Sequence, residues 1–186
     1  MHKRTTKDYA ALLQYYDQLM DSFDWRDGLA DLPAPTVSAW SAAQQIEHVA
    51  KVKQSIIGRL TRIAQDDSVN DEDKRPTFIG RVILFVGSIP RGGGKSPERF
   101  VAAPHSDVAK IKGVATAAHE DLRRLEESLP TVAASTGRFP HQYFGHLSGQ
   151  QWVRFMRIHT LHHLKIVRDI RKHHATHAGK RNDAHA

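Results

Sequence analysis

Residues 152–170 read WVRFMRIHTLHHLKIVRDI. At about 100° per residue, Trp152, Phe155, Met156, Ile166 and Ile170 share one arc of an α-helix, the face that turns towards a core. His159 and His163 fall in the middle of that arc. One helical turn separates them, which puts their Cβ atoms ~5–6 Å apart on the same face. Two imidazoles therefore stand where the pattern wants Leu or Ile. A polar group buried without a partner costs roughly 1–3 kcal/mol, so the pair requires partners. Hydrogen-bonding side chains are one solution. A divalent metal is the other, because H-x-x-x-H on a helix presents two neutral imidazoles that bind Zn²⁺ at ~2.0–2.1 Å.

Three further segments carry the helical period. Tyr9, Leu12, Leu13, Tyr16, Leu19, Met20 and Phe23 form the first stripe. Ser41 and Gln44 make an S-x-x-Q capping box that opens the second, which continues through Ile46, Val49, Ala50, Ile56, Ile57, Leu60 and Ile63. Val108, Ile111, Ala115, Ala118, Leu122, Leu125 and Leu129 form the third, with Pro130 after it. No segment alternates strictly, so an all-α fold is expected. About 15 residues join the first helix to the second, a similar number the third to the fourth, and about 40 the second to the third. The long crossover permits parallel second and third helices, hence an up-down-down-up four-helix bundle. Within it, Phe78 to Val86 reads as a short helix over one end. Residues 1–172 are assigned to the bundle and 173–186 to a basic, His-rich flexible tail.

A third ligand has to come from another helix. With the second and fourth helices antiparallel, His48 stands about level with His163, although at the margin of its apolar arc. His119 on the third helix is also marginal and competes. His162 lies beside the arc, a packing or supporting position. Gln44, one turn before His48, is a candidate to orient it. His141, Tyr143 and His146, in the turn before the fourth helix, are candidates to line a pocket mouth.

The chain has 186 residues, no Cys, 13 His and a net charge of +7. Without Cys there are no disulfides, thiolate zinc sites or Cys nucleophile. Residues 171–186, RKHHATHAGKRNDAHA, contribute +3 of the charge. With no nucleic-acid motif beside it, this basicity does not predict specific nucleic-acid binding. The N-terminus lacks the apolar core of a secretory signal, and the longest apolar run, Val82 to Val86, is too short to span a membrane. No membrane association and a cytoplasmic location are expected. RGGGKSPERF ends like a phosphate loop at Gly94-Lys95-Ser96, but Ile89 stands where the motif needs its first Gly. A crossover loop is the better reading, with Arg91 or Lys95 placed to meet an acidic substrate.

The start of the second helix, WSAAQQIEHV, and the run IHTLHHLKIVRDI resemble the DinB-like superfamily of metal-binding four-helix bundles. FPHQYFGHLSGQQWVRF resembles, more narrowly, an uncharacterised DinB-related group (the DUF1569 type), with Gln142 where that group's turn has Pro. The resemblance implies the up-down-down-up bundle and a metal held by three histidines, matching His48, His159 and His163; it selects His48 over His119. It also implies thiol-dependent transferase, isomerase or hydrolase activity on a small-molecule substrate, with a low-molecular-weight thiol as a possible partner, and a homodimer as a common assembly. Three imidazoles leave a coordination position open for water or substrate, as in catalytic zinc sites. An all-nitrogen site suits zinc or nickel, and iron as well. The competing expectation is a non-catalytic, metal-stabilised binding or stress-related module.

Overall fold

The computed structural model describes residues 3–25, 29–65, 74–92, 94–103 and 107–183, with side chains up to residue 177. Helix α1 spans Lys3–Met20 and runs into a 3-10 turn, α2 spans Ala42–Gln65, α3 Phe78–Val86, α4 Val108–Ala134 and α5 Gly149–Asp183. Strands β1 (Arg138–His141) and β2 (Gly145–Ser148) form a hairpin between α4 and α5. The four long helices coincide with the four periodic segments, and α3 with the short helix expected in the crossover.

The starts of α2, α3 and α4 have a local cause. The Ser41 N–H donates to Gln44 Oε1 at 2.9 Å and the Gln44 N–H to Ser41 Oγ at 3.2 Å, the reciprocal bonds of a capping box. Thr77 Oγ1 caps α3 through the Gly80 N–H, and Asp107 Oδ1 caps α4 through Ala109 and Lys110. At the far end of α3, Gly87 takes the left-handed conformation and its N–H closes on the Ile83 carbonyl. The Arg154 guanidinium bonds the carbonyls of Leu84 and Phe85 there, placing a cation at the negative helix end.

Side-chain pairs give the helix directions. Tyr9 donates to the Leu122 carbonyl and Tyr16 to that of Ala115, so α1 and α4 run oppositely. Asp8 pairs with Arg154 and Arg157, and Gln18 with Arg168, so α1 and α5 run together. Gln45 and His48 meet His163 and His159 respectively, so α2 and α5 run oppositely. The buried core falls into two apolar clusters. One gathers Leu12, Ile56, Leu60, Leu122, Leu129, Phe139, Trp152 and Ile158; the other Tyr16, Leu19, Ile46, Val49, Ala115, Leu164 and Ile170. On each long helix the two are separated by about one turn, and on α2 and α5 that turn is polar: Lys53, and His159 with His163.

Three features differ from the sequence expectation. The fold is mostly helical rather than all-α, because 138–148 pairs as an antiparallel hairpin with Phe139 opposite Leu147, both buried. Strands this short show too few alternations to be read, and tertiary packing of Phe139 on Trp152 holds the pairing. Second, α4 continues past Pro130 to Ala134. The missing N–H removes one bond near the helix end, whereas Leu129, Val132 and Ala133 are all buried beyond and beside it. Third, α5 carries on through residue 173, where the tail is expected to start, to Asp183; residues 184–186 lie outside the described ones. Parts of the expected crossover, 66–73, 93 and 104–106, also lie outside them.

The hairpin is locked to the start of α3. Gly145 has φ +72°, and a Cβ there would stand 2.7 Å from the Arg75 carbonyl and 2.9 Å from the Thr77 N. Gly145→Ala combines left-handed strain with a backbone clash, and is expected to cost about 1–3 kcal/mol. Thermal unfolding followed by circular dichroism checks this: an unchanged midpoint would mean that the hairpin yields freely. Among the described residues, no helix is long and apolar enough to cross a membrane.

Candidate metal centre

Helix α2 brings His48, and α5 His159 and His163, to one point between the two apolar clusters. His159 Nε2 lies 3.2 Å from His48 Nε2 and 3.2 Å from His163 Nε2. Two nitrogens bound at ~2.0–2.1 Å to a tetrahedral ion are separated by ~3.3 Å. The spacing therefore matches the edge of a coordination tetrahedron.

The opposite edges of two rings are already committed. His48 Nδ1 lies 2.8 Å from the Phe100 carbonyl oxygen, and His163 Nδ1 2.5 Å from Gln45 Oε1. Both oxygens only accept, so both Nδ1 atoms carry the proton and both Nε2 atoms point inwards as bare lone pairs. The Gln45 amide is oriented by Ser38, whose Oγ accepts from Gln45 Nε2 at 2.9 Å and from the Trp40 N–H at 3.0 Å. A single proton on His159 Nε2 can satisfy one neighbouring lone pair and not the other. A cation satisfies all three, so the donor set fits a divalent metal. Carbonyl-anchored imidazoles are also the usual support for metal-ligating histidines.

Electrostatics act the same way. Burial, then the neighbouring histidines, hold His159 and His163 well below the ordinary 6.5. Burial also lowers His48, against a smaller opposing effect of the Phe100 carbonyl. All three imidazoles are thus kept neutral, the form that binds metal. They make up the group of His, Asp and Glu side chains positioned to share an ion among the described residues.

The other expected residues lie as follows. Gln44 is used by the helix cap, and its Nε2 donates to the Ala103 carbonyl at 2.8 Å; the amide at the histidines is that of Gln45. His162 packs its ring edge-on against His163 at 5.0 Å and places Nδ1 3.0 Å from the Ile89 carbonyl. It lines a concavity of about 180 Å³ together with Ser88, Ile89, Arg91, Leu161 and Lys165. His141 is stacked on Phe144, and its Nδ1 accepts the Tyr143 and Phe144 N–H groups. Burial, with Arg59 nearby, lowers its pKa to about 4, so it serves the hairpin turn as a neutral ring. Tyr143 is part-exposed and donates to the Lys95 carbonyl at 2.8 Å, which pins the glycine-rich loop to the hairpin. His146 lies on β2 opposite Pro140. His119 is on α4, 3.0 Å from Asp17 and against Tyr16. Arg91 pairs with Asp169 at 2.6 Å.

A family model for the DinB superfamily matches residues 4–167. The chain belongs to the DinB superfamily. The match runs from α1 across every long helix and ends four residues after His163, so it contains all three histidines. No curated protein and no solved structure matches this DinB-superfamily chain.

Two supports of the site went unread in the sequence. Gln45 had a signal: it precedes His48 by three residues and so shares its face. The Phe100 carbonyl had none, because a backbone acceptor delivered by the crossover leaves no trace in residue type. Lys53 was legible in principle, standing within the apolar stripe between Ala50 and Ile56. It is 1% exposed, and its Nζ, 2.9 Å from the Tyr16 ring centroid, has no hydrogen-bond partner among the described residues.

Proposed function

We propose that this DinB-superfamily protein is a metal-dependent enzyme, a thiol-dependent transferase or a hydrolase acting on a small molecule. His48, His159 and His163 would hold the ion. The observation that carries the reading is His159 Nε2 lying 3.2 Å from both the His48 and the His163 Nε2, while carbonyl oxygens occupy the far edges of those two rings. A divalent ion there supplies Lewis acidity that draws the pKa of a water or thiol downwards. Zinc and nickel suit the nitrogen set best, and iron is compatible.

The protein's own groups define what can approach. The two anchored rings cannot rotate without breaking bonds to Phe100 and Gln45, so the donors are preorganised. The concavity at His162 lies one ring away from His163. Arg91 and Lys165 on its rim favour an anionic substrate. The same proposal includes the up-down-down-up helix order, supported by the pairings of α1 with α4 and α5 and of α2 with α5. It also includes the narrower DUF1569-type affinity, supported by FPHQYFGHLSGQQWVRF, and a soluble cytoplasmic setting with possible homodimers.

Burial of the triad favours a second reading, a metal-stabilised bundle without catalysis. Cobalt substitution separates the two. If a coordination position is open, the visible spectrum of the Co²⁺ protein shifts on adding 2-mercaptoethanol or azide. A spectrum indifferent to both supports the structural role. Replacing Gln45 with Leu tests the support of His163: the affinity for Zn²⁺, measured by chelator competition, is expected to fall about 10–100-fold. Unchanged affinity would show that Gln45 merely packs there.

A further inference from the structure

The last described turns of α5 carry a second pair of imidazoles, ten residues beyond His163 and so ~15 Å further along the helix. The rings of His173 and His177 lie one turn apart with centroids 4.2 Å from each other. His177 Nδ1 is 2.8 Å from the His173 carbonyl oxygen, to which it can only donate, so its proton sits on Nδ1 and its Nε2 carries the lone pair. His173 Nδ1 meets the Thr36 hydroxyl at 3.3 Å, and with that hydroxyl accepting, the His173 Nε2 is unprotonated. Both rings line an open concavity of about 420 Å³, shared with Thr36, Lys172 and the Arg91–Asp169 pair, Asp169 standing one turn before His173.

We propose that His173 and His177 form a second, surface site for a late first-row divalent ion, with water completing its coordination. Two neutral imidazoles at chelate spacing follow the order Cu²⁺ above Ni²⁺, with Zn²⁺ below Cu²⁺. With two protein donors instead of three, and with solvent access, the site exchanges its ion readily, and its occupancy tracks metal supply. It stands independently of the buried triad.

The test is Ni²⁺ binding to the full-length chain by equilibrium dialysis with elemental analysis. The wild type is expected to take up two ions per chain, one tight and one weak. His173→Gln/His177→Gln is expected to lose the weak ion and keep the tight one. His159→Ala/His163→Ala is expected to do the reverse. Both tail positions are on the surface, so glutamine there leaves helix content unchanged by circular dichroism. A weak ion that persists in His173→Gln/His177→Gln overturns the proposal, as does a wild type whose only ion is unaffected by those two substitutions. A chain that binds only the weak, His173/His177-dependent ion upholds this site and overturns the buried one, so the two assignments fail separately.

Discussion

Replacing either His159 or His163 with Ala is expected to remove the tightly held metal completely while leaving the helices in place. Each substitution reduces three protein donors to two, in a cavity where at least one remaining ring is anchored and cannot move to compensate. His48 is tied to Phe100, and His163 to Gln45. The measurement is elemental analysis of purified, untagged protein in the His173→Gln/His177→Gln background, which keeps the surface site out of the count. Far-ultraviolet circular dichroism reports the helices. A second consequence concerns stability. An ion bound only by the folded state adds RT ln(1 + [L]/Kd), about 4 kcal/mol at a thousandfold excess over Kd. Chelation should therefore lower the midpoint of the parent and leave those of His159→Ala and His163→Ala unmoved. Variants that retain stoichiometric metal would show that the triad is three hydrogen-bonded histidines and nothing more.

Lys53→Met is expected to stabilise the protein. The Lys53 amine lies in the turn between the two apolar clusters without a hydrogen-bond partner among the described residues, over the face of Tyr16. Methionine keeps the unbranched shape and removes the polar head, so the metal-free protein should gain about 1–3 kcal/mol. For a chain of this size that is a rise of ~3–10 °C in midpoint. The gain has a pH signature. Burial depresses the Lys53 pKa far below its ordinary 10.5, with Asp17 opposing weakly. Between the depressed value and 10.5, the unfolded chain binds a proton that the folded chain does not. Wild-type stability therefore climbs with pH in that window, by up to ~1.4 kcal/mol per pH unit. Lys53→Met lacks this slope, so its advantage should shrink as pH rises towards 10.5 and level off above it. A variant less stable than wild type at neutral pH would mean that the amine is charged and that its contact with the Tyr16 ring outweighs desolvation.

Such a lysine has a cost that the fold carries through its other contacts. The same turn holds His159 and His163 on α5. The bundle thus has a polar belt across its waist, and the apolar clusters on either side supply its stability. Placing ionisable groups there is unfavourable for folding. This is the physical reason to look for chemistry at that level and not at the ends.

The bundle and its metal ligands belong to different orders of information. Period, capping residues and crossover length lie within the chain itself. The stripes from Tyr9 and from Ile46, the Ser41–Gln44 box and the Phe78–Val86 helix all follow from local rules, because a helix satisfies its backbone internally and shows its buried face every 3.6 residues. The His159–His163 pair was readable for the same reason, as polar residues breaking an apolar arc. The supports of that pair were not. Gln45 rather than Gln44 reaches His163 because a 100° rotation on α2 counts only once α5 is laid beside it. Phe100 serves through a carbonyl that any residue would have offered. The 138–148 hairpin exists because Phe139 and Leu147 find the core. Local periodicity names the faces; the packing of one helix against another selects which atoms on those faces meet.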